Sequence, residues 1–291
     1  MSNIEMLKQR LLNAGTNKDA AEELKTNYEK VITIRKLARL YHTNEASISL
    51  ILKENGIKIG NYKHRKSNRK HILNEDFFHD LSSPQAAYWF GFLLADGYLN
   101  KNGYIGLDIK DFEHLEKLKS IIGPTLPIYK RVVKNSKRNL KWNDSVIYYM
   151  HISSVKLVEA IKLIGMTERK SQREIFPTQI NDDMLNIFCR GYFDGDGGFS
   201  HCKGQTTFNI RGSKGFLKKY LYIMAENCPL VSINKEISFE SGAHRIQFNG
   251  NNISKQMVKW LYKDVIDNEG NNLYLNRKYE IVKRILSDKN D

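Results

Sequence analysis

Two aspartates carry the strongest chemical signal in the sequence. Asp96 closes the stretch Trp89-Phe90-Gly91-Phe92-Leu93-Leu94-Ala95-Asp96-Gly97, and Asp196 closes Cys189-Arg190-Gly191-Tyr192-Phe193-Asp194-Gly195-Asp196-Gly197 a hundred positions later. Each stretch reads as an apolar helix that stops at its acidic residue. A carboxylate is disfavoured there, because the C-terminal end of a helix already carries about half a negative charge. Two of them side by side are worse. A hard divalent cation held by carboxylate and carbonyl oxygens resolves the conflict. A single Asp-Gly is an ordinary turn, but a Gly-xxx-small-Asp-Gly pattern repeated on apolar helices marks a duplicated structural unit.

The elements that position these aspartates are legible around them. Ser83 can cap the first helix, with Pro84 at its first position, where the missing N–H costs nothing. Asn181, followed by Asp182 and Asp183, makes a similar start for the second. Gly97 and Gly197 suit the left-handed residue just past a helix end. Gly91 and Ala95, like Gly191 and Gly195, lie one turn apart on one face. Helix axes normally sit about 8–10 Å apart, so two faces this small predict that the helices pack closely on each other and bring Asp96 and Asp196 together.

Both stretches resemble the LAGLIDADG signature of homing endonucleases, and the resemblance runs from about Ser83 to Asp291. Leu94 stands where the signature's first aspartate would be, whereas Asp194 keeps it; this departure touches the helix interface more than the chemistry. The resemblance implies a metal-dependent double-strand DNA endonuclease acting as a monomer, with 3′-OH and 5′-phosphate ends and a long, imperfectly symmetric target. Two or three Mg²⁺ ions would be held by Asp96, Asp196 and the backbone carbonyls of Ala95 and Gly195. The pairs Arg169-Lys170 and Arg277-Lys278 stand at equivalent places after the last helix of each half. The resemblance sets Lys170 and Lys278 beside the scissile phosphate, where a cation stabilises the charge of the transition state. Two alternatives stay open: an RNA maturase that assists splicing, and a DNA-binding regulator that no longer cuts.

The totals agree with a nucleic-acid partner. The 291 residues hold 46 Lys+Arg against 32 Asp+Glu, a formal charge of +14 and a pI of about 9.5, with 15 tyrosines. Cys189, Cys202 and Cys228 form no CxxC pair, which argues against a disulfide scaffold or structural zinc. The N-terminus shows no apolar signal core. The longest apolar run, Tyr88 to Ala95, falls far short of the ~20 residues that span a bilayer. These features predict an intracellular protein, whether cytoplasmic, nucleoid-associated or in an organellar matrix, with no membrane and no protein partner.

Two domains joined by a linker are expected. Residues 1–56 form a small all-α unit, with a helix-like stripe over 4–26 and two short helices, Val31–Leu40 and Asn44–Lys53, around a turn at Tyr41-His42-Thr43. Ala38 would let them cross, and Ile34, Leu37, Ile48, Ile51 and Leu52 would form their core. This pair resembles the helix-turn-helix of site-specific DNA binders. That implies Glu45, Ala46, Ser47 and Ser49 at base edges and Arg35, Lys36, Arg39 and Lys53 near phosphates. Residues 57–74 are a basic linker in which Lys63, Arg65, Lys66 and Arg69 can follow a duplex backbone. His64 and His71 there complete no nuclease motif.

The core, 75–291 with halves of about 83–176 and 177–291, is expected to be α+β, a pseudo-two-fold duplicated αββαββα fold with saddle-shaped antiparallel sheets. In the first half, Tyr98–Asn100 and Tyr104–Ile109 alternate around a turn at Asn102-Gly103, and Leu99, Ile105, Leu107 and Ile109 face inward. Asp111 caps a helix to about Ile122, strands lie near 128–133 and 146–152, and a helix spans Val155–Ile164. In the second half, Phe199, Phe208 and Ile210 face inward, a helix runs from Ser213 to about Asn227, and strands lie near Ser232–Glu240 and His244–Phe248 around Ser241-Gly242. A helix from Asn252 to Tyr262 ends the unit. The polar strand faces can enter the major groove. Expected base contacts are Asn100, Asp108, Lys110, Arg131 and His151 in one half, and Ser200, Thr207, Asn209, Arg211, Arg245 and Gln247 in the other.

Overall fold

The computed structural model describes residues 38, 45–54, 71–134, 144–202, 205–268 and 271–287. The chain divides into two compact units, Met1–Lys70 and His71–Asp291. In the first, α1 (Glu45–Glu54) buries Ile48, Ile51 and Leu52, and Ala38 is helical and buried. Ser47 falls on that same inward stripe, since positions 47, 48 and 51 share a helix face. It is only 3% exposed, so it faces the core of this unit and not a duplex, a correction to its expected role. Ser49 is half-buried. The rest of the first helix of the expected pair, the stripe over 4–26, and Lys63, Arg65, Lys66 and Arg69 lie outside the described residues. Residues 71–74, expected in the linker, are anchored to the second unit. His71 hydrogen-bonds Thr125 at 3.2 Å, the Asn74 N–H donates to the Ile122 carbonyl at 2.8 Å, and Leu73 packs on the core.

The second unit follows the repeated order read from the sequence. Its first half is α2 (Pro84–Ala95), β1 (Gly97–Asn100), β2 (Tyr104–Ile109), α3 (Phe112–Ile122), β3 (Tyr129–Val133), β4 (Ser145–Ile152) and α4 (Val155–Ile164). The second half is α5 (Leu185–Asp196), β5 (Gly197–Cys202), β6 (Gln205–Gly212), α6 (Lys214–Asn227), β7 (Ser238–Glu240), β8 (Ala243–Asn249) and α7 (Asn251–Leu261). Each half forms a four-stranded antiparallel sheet, ordered β1-β2-β4-β3 and β5-β6-β8-β7. The alternation decides which face is covered. Leu99, Ile105, Leu107 and Ile109 are buried in one sheet, and Phe208, Ile210, Ile246 and Phe248 in the other. No described helix is long and apolar enough to cross a membrane, and Cys189 and Cys228 are free and buried.

Several local expectations are corrected. The strand expected over Ser232–Glu240 is only Ser238–Glu240, because residues 228–235 close two turns, Val231 N–H to the Cys228 carbonyl and Lys235 N–H to the Ser232 carbonyl. α5 begins at Leu185, after a 3₁₀ turn at Asp182–Met184 for which Asn181 makes no side-chain cap. Asp111 stands at the N-cap of α3, its carbonyl accepting from the His114 N–H at 3.1 Å, but its side chain makes no cap hydrogen bond and its carboxylate pairs instead with Arg277 at 3.1 Å. Gly97 and Gly197 are extended, not left-handed, and open β1 and β5. Their glycine identity has another cause. A β-carbon at Gly97 would sit 2.7 Å from the Leu93 carbonyl oxygen, and one at Gly197 would run into the Phe193 ring. The second half does not end with α7: α8 (Lys263–Ile266) and α9 (Asn276–Ser287) follow.

Candidate active site and nucleic-acid interface

α2 and α5 meet along their small-residue faces. A β-carbon on Gly91 would collide with the Phe188 carbonyl oxygen and lie 2.9 Å from the Tyr192 nitrogen; one on Gly191 would collide with the Tyr88 carbonyl oxygen and lie 2.9 Å from its carbonyl carbon. The obstacles are backbone, so the helices are as close as two main chains allow. Both helices end at this crossing. Asp96 caps α2, its N–H donating to the Phe92 carbonyl at 2.9 Å, and Asp196 is the last residue of α5. The Asp96 carboxyl carbon lies 3.5 Å from where a Gly195 β-carbon would stand.

The electrostatics of the pair follow from this placement. Burial first, and then the neighbouring Asp96 carboxylate, push the Asp196 carboxyl up to about 6. Asp96 is raised as well, by burial, against the pull of Lys278, Lys170 and Arg277. The residue is exposed, yet the protein around its carboxyl withholds enough solvent to disfavour the charge. Tyr192, buried beside Asp196, donates to the Arg211 carbonyl at 3.0 Å and is held neutral by desolvation and by Asp196, Glu174 and Asp96.

The two lysines converge on the same helix ends. α4 stops at Gly165 (φ 129°), and the chain returns through left-handed Arg169 and Gln172. Glu174 pins that return, accepting from the N–H groups of Gln172 at 3.0 Å and Ser213 at 2.8 Å. Lys170 is thereby buried at 8% exposure, its ammonium donating to the Ala95 carbonyl. Lys278 lies in the first turn of α9, also buried, and donates to the carbonyls of Phe193 (2.5 Å) and Gly197 (2.6 Å), with Gly195 at 3.5 Å. Desolvation lowers it to about 8. The carbonyls of Ala95 and Gly195, expected on a metal, therefore carry ammonium groups here.

Asp194, kept where the first half has a fully buried Leu94, builds the second lysine's place. Its buried carboxylate accepts from the hydroxyls of Tyr88 and Tyr262 at 2.7 Å each and from the Leu275 N–H at 2.8 Å. Arg190, wholly buried, donates to the carbonyls of Leu273 (2.8 Å) and Leu261 (2.9 Å) and pairs with Asp264. From the other half, Lys117 donates to the carbonyls of Asn272 and Tyr274. These groups fasten the segment leading into α9. The sequence reading missed them, although the Tyr279, Val282, Ile285 spacing was there to mark the helix.

The donor set fits a hard divalent ion. Carboxylate and carbonyl oxygens are the ligands such ions take, and the two ammonium groups show that these helix ends attract positive charge. Among the described residues no three His, Cys, Asp or Glu side chains converge on one point.

Of the base-contacting residues expected in the second unit, all but Lys110 stand on the uncovered sheet faces. Asn100, Asp108 and His151 are half-buried there, Arg131 is exposed, and exposed Lys110 follows the end of β2. Arg131 pairs with Asp108 at 2.8 Å and lies 5.6 Å over the Tyr149 ring. On the other sheet, register places Ser200 opposite Thr207, Asn209 opposite Gln247 and Arg211 opposite Arg245. The reading missed the tyrosines of the first sheet, Tyr98, Tyr104, Tyr129 and Tyr149, whose period-two spacing puts them on the same face as Asp108 and His151.

No protein-family profile matches the chain, and no curated protein does. Among solved structures it is similar to the homing endonuclease I-WcaI bound to its DNA recognition sequence, at 16% identity, covering 79% of this chain and 97% of that one with a TM-score of 0.47. It is also similar to the N-terminal LAGLIDADG domain of DUF199/WhiA (14% identity, 75% and 98% covered, TM-score 0.41). A third is the LAGLIDADG meganuclease I-CpaMI bound to uncleaved DNA (14%, 72% and 99%, TM-score 0.35).

Proposed function

We propose that the chain is a site-specific DNA endonuclease of the LAGLIDADG homing type, cutting both strands of a long duplex target as a monomer with Mg²⁺. The observation that supports this reading most is the meeting of Asp96 and Asp196 at paired helix ends, each half adding one buried lysine. Mg²⁺ bound there would supply an activated water and stabilise the attacking and leaving oxygens of the phosphodiester. Asp96 and Asp196 would hold the cations. Lys170 and Lys278 keep positive charge where phosphate charge grows in the transition state. The uncovered sheet faces meet base edges in the major groove, and the +14 charge draws the protein to duplex DNA. Plasmids carrying random inserts, digested with Mg²⁺ or with EDTA and sequenced at their ends, test this. One recurrent double-strand break that needs Mg²⁺ is the expected result; structured RNA bound tightly with no duplex cut would move the reading to a maturase.

The raised carboxyls predict a pH-dependent response to metal. The fold favours protonated Asp196, a contribution present below the unfolded value of 3.8 and lost as pH rises through about 6. The metal-free protein is therefore penalised near neutrality, where a divalent ion relieves the repulsion. Mg²⁺ is expected to raise the melting temperature more at pH 7 than at pH 5. Equal shifts at both would detach the ion from these carboxylates.

The first unit is expected to extend the binding site. A chain begun at His71 keeps both aspartates, both lysines and all eight strands, and should fold and cut at the same positions. Without residues 1–70, each phosphate left unneutralised lowers the salt slope of log affinity by about 0.9. Footprints of both chains on one labelled duplex check this; shortening on one side is expected, and coincident footprints would exclude the first unit from DNA.

A further inference from the structure

The uncovered faces of the two sheets are chemically unlike. On the β1-β2-β4-β3 sheet a line of rings crosses all four strands: Tyr98 lies 6.4 Å from Tyr104, Tyr104 4.5 Å from His151, His151 5.4 Å from Tyr149, and Tyr149 stacks on Tyr129 at 5.3 Å. The Tyr98 ring lies flat over the next strand, because Gly106 opposite it leaves the room: a β-carbon there would fall 2.5 Å from the Tyr98 hydroxyl oxygen. The polar groups of this face are turned on one another. The Tyr98 hydroxyl donates to Asp108 at 3.2 Å and sits 3.2 Å from the His151 ring, Arg131 pairs with Asp108, and the Asn100 side chain accepts from the Asn102 N–H at 2.8 Å. Ile147 and Val133 extend the apolar strip. On the β5-β6-β8-β7 sheet the same face carries Thr207, Asn209, Arg211, Arg245, Gln247 and Asn249, and no ring among the described residues. Its polar groups are also paired with one another, Arg245 with Glu240 and Gln247, and Asn249 with Gln247 and Thr207, so the two faces differ in the rings that only the first carries.

We propose that the two sheets read their half-sites by different chemistry, the first selecting thymine through its 5-methyl group and the second selecting bases by hydrogen bonds. This rests on the duplex-cleaving reading above. In a duplex the base faces are stacked on each other, so the apolar group a ring can meet in the major groove is the thymine methyl. A face lined by rings gains chiefly from burying apolar surface. The guanidinium and amide groups of the second sheet match purine edges instead.

Full-length protein in EDTA, selected against a library of fully randomised duplexes, yields bound sequences. These are then remade with deoxyuridine in place of thymidine in one half at a time, which removes only the methyl group. One half-site is expected to be thymine-rich and to lose about four-fold in affinity per methyl removed, the factor for one buried methyl-sized group, while uracil in the other half changes nothing. In a Tyr104→Ser/Tyr149→Ser variant that melts like the parent, the uracil penalty is expected to vanish. Uracil tolerated in both halves of a specifically bound duplex would overturn the proposal and leave the duplex reading intact. Absence of any sequence-specific duplex binding would overturn both. If the tyrosine variant lost affinity for single-stranded oligonucleotides alone, the strip would be a stacking platform for unpaired bases and the proposal would fail.

Discussion

Asp196→Asn is expected to leave duplex binding in place and to remove double-strand cleavage. An amide holds a hard cation far more weakly than a carboxylate. Loss of one electrostatic stabiliser of a transition state commonly costs on the order of 10²–10³-fold in rate, and a lost ion takes its water with it. Binding is expected to hold or tighten, because a negative charge near phosphate disappears. The same substitution has a second, opposite signature in the free protein. Burial and Asp96 push the Asp196 carboxyl up to about 6, so at pH 7 its ionised form is disfavoured by the fold and a neutral amide relieves that penalty. The melting temperature of metal-free Asp196→Asn at pH 7 should equal or exceed that of the parent. A variant that melts normally, binds and does not cut assigns the loss to chemistry and not to misfolding. Cutting of both strands at a near-parental rate would remove Asp196 from the site.

What the sequence made legible was whatever repeats or alternates. The two signature stretches share small residues one turn apart, and that spacing alone sets α2 against α5 and brings Asp96 beside Asp196. The strands were readable from period two, down to the inward row Leu99, Ile105, Leu107 and Ile109. The turn at Ser241-Gly242 takes φ 52° and 81°, as a tight hairpin requires. What stayed hidden depends on partners far away in the chain. Asp194 reads as an interface residue, and only the fold shows it gripping Tyr88, Tyr262 and Leu275 and so placing Lys278. Gly97 and Gly197 look like left-handed helix ends in the sequence because glycine serves two needs, a left-handed backbone or absent bulk, and one sequence does not separate them. Ser47 looked like a base-reading residue because a short polar side chain early in a recognition helix is common, yet its helical position turns it inward. The tyrosines of the first sheet carry no signal of their own in the sequence, because tyrosine suits either face of a strand.

Gly191→Ala, a change of one methyl group, should be among the most destabilising single substitutions in the second unit. The added β-carbon would collide with the Tyr88 carbonyl oxygen, lie 2.9 Å from its carbon and 3.2 Å from the Phe92 nitrogen. All three belong to the α2 main chain, so no side chain can rotate away and the helices must part. Overpacking costs about 1–3 kcal/mol, occasionally more. In a domain of this size each kcal/mol shifts the melting midpoint by about 2–4 °C. Gly215→Ala supplies the contrast within the same unit: it lies in α6, a β-carbon there meets nothing within 4 Å, and replacing a helical glycine removes a cost of roughly 0.5–1 kcal/mol. The two alanines should therefore move the melt in opposite directions. Parting the helices also separates Asp96 from Asp196, so Gly191→Ala should slow cleavage well beyond what its remaining folded fraction explains, while Gly215→Ala cuts normally. Equal melts for the two variants would mean that α2 and α5 do not touch at Gly191, and the pairing of the aspartates would lose its foundation.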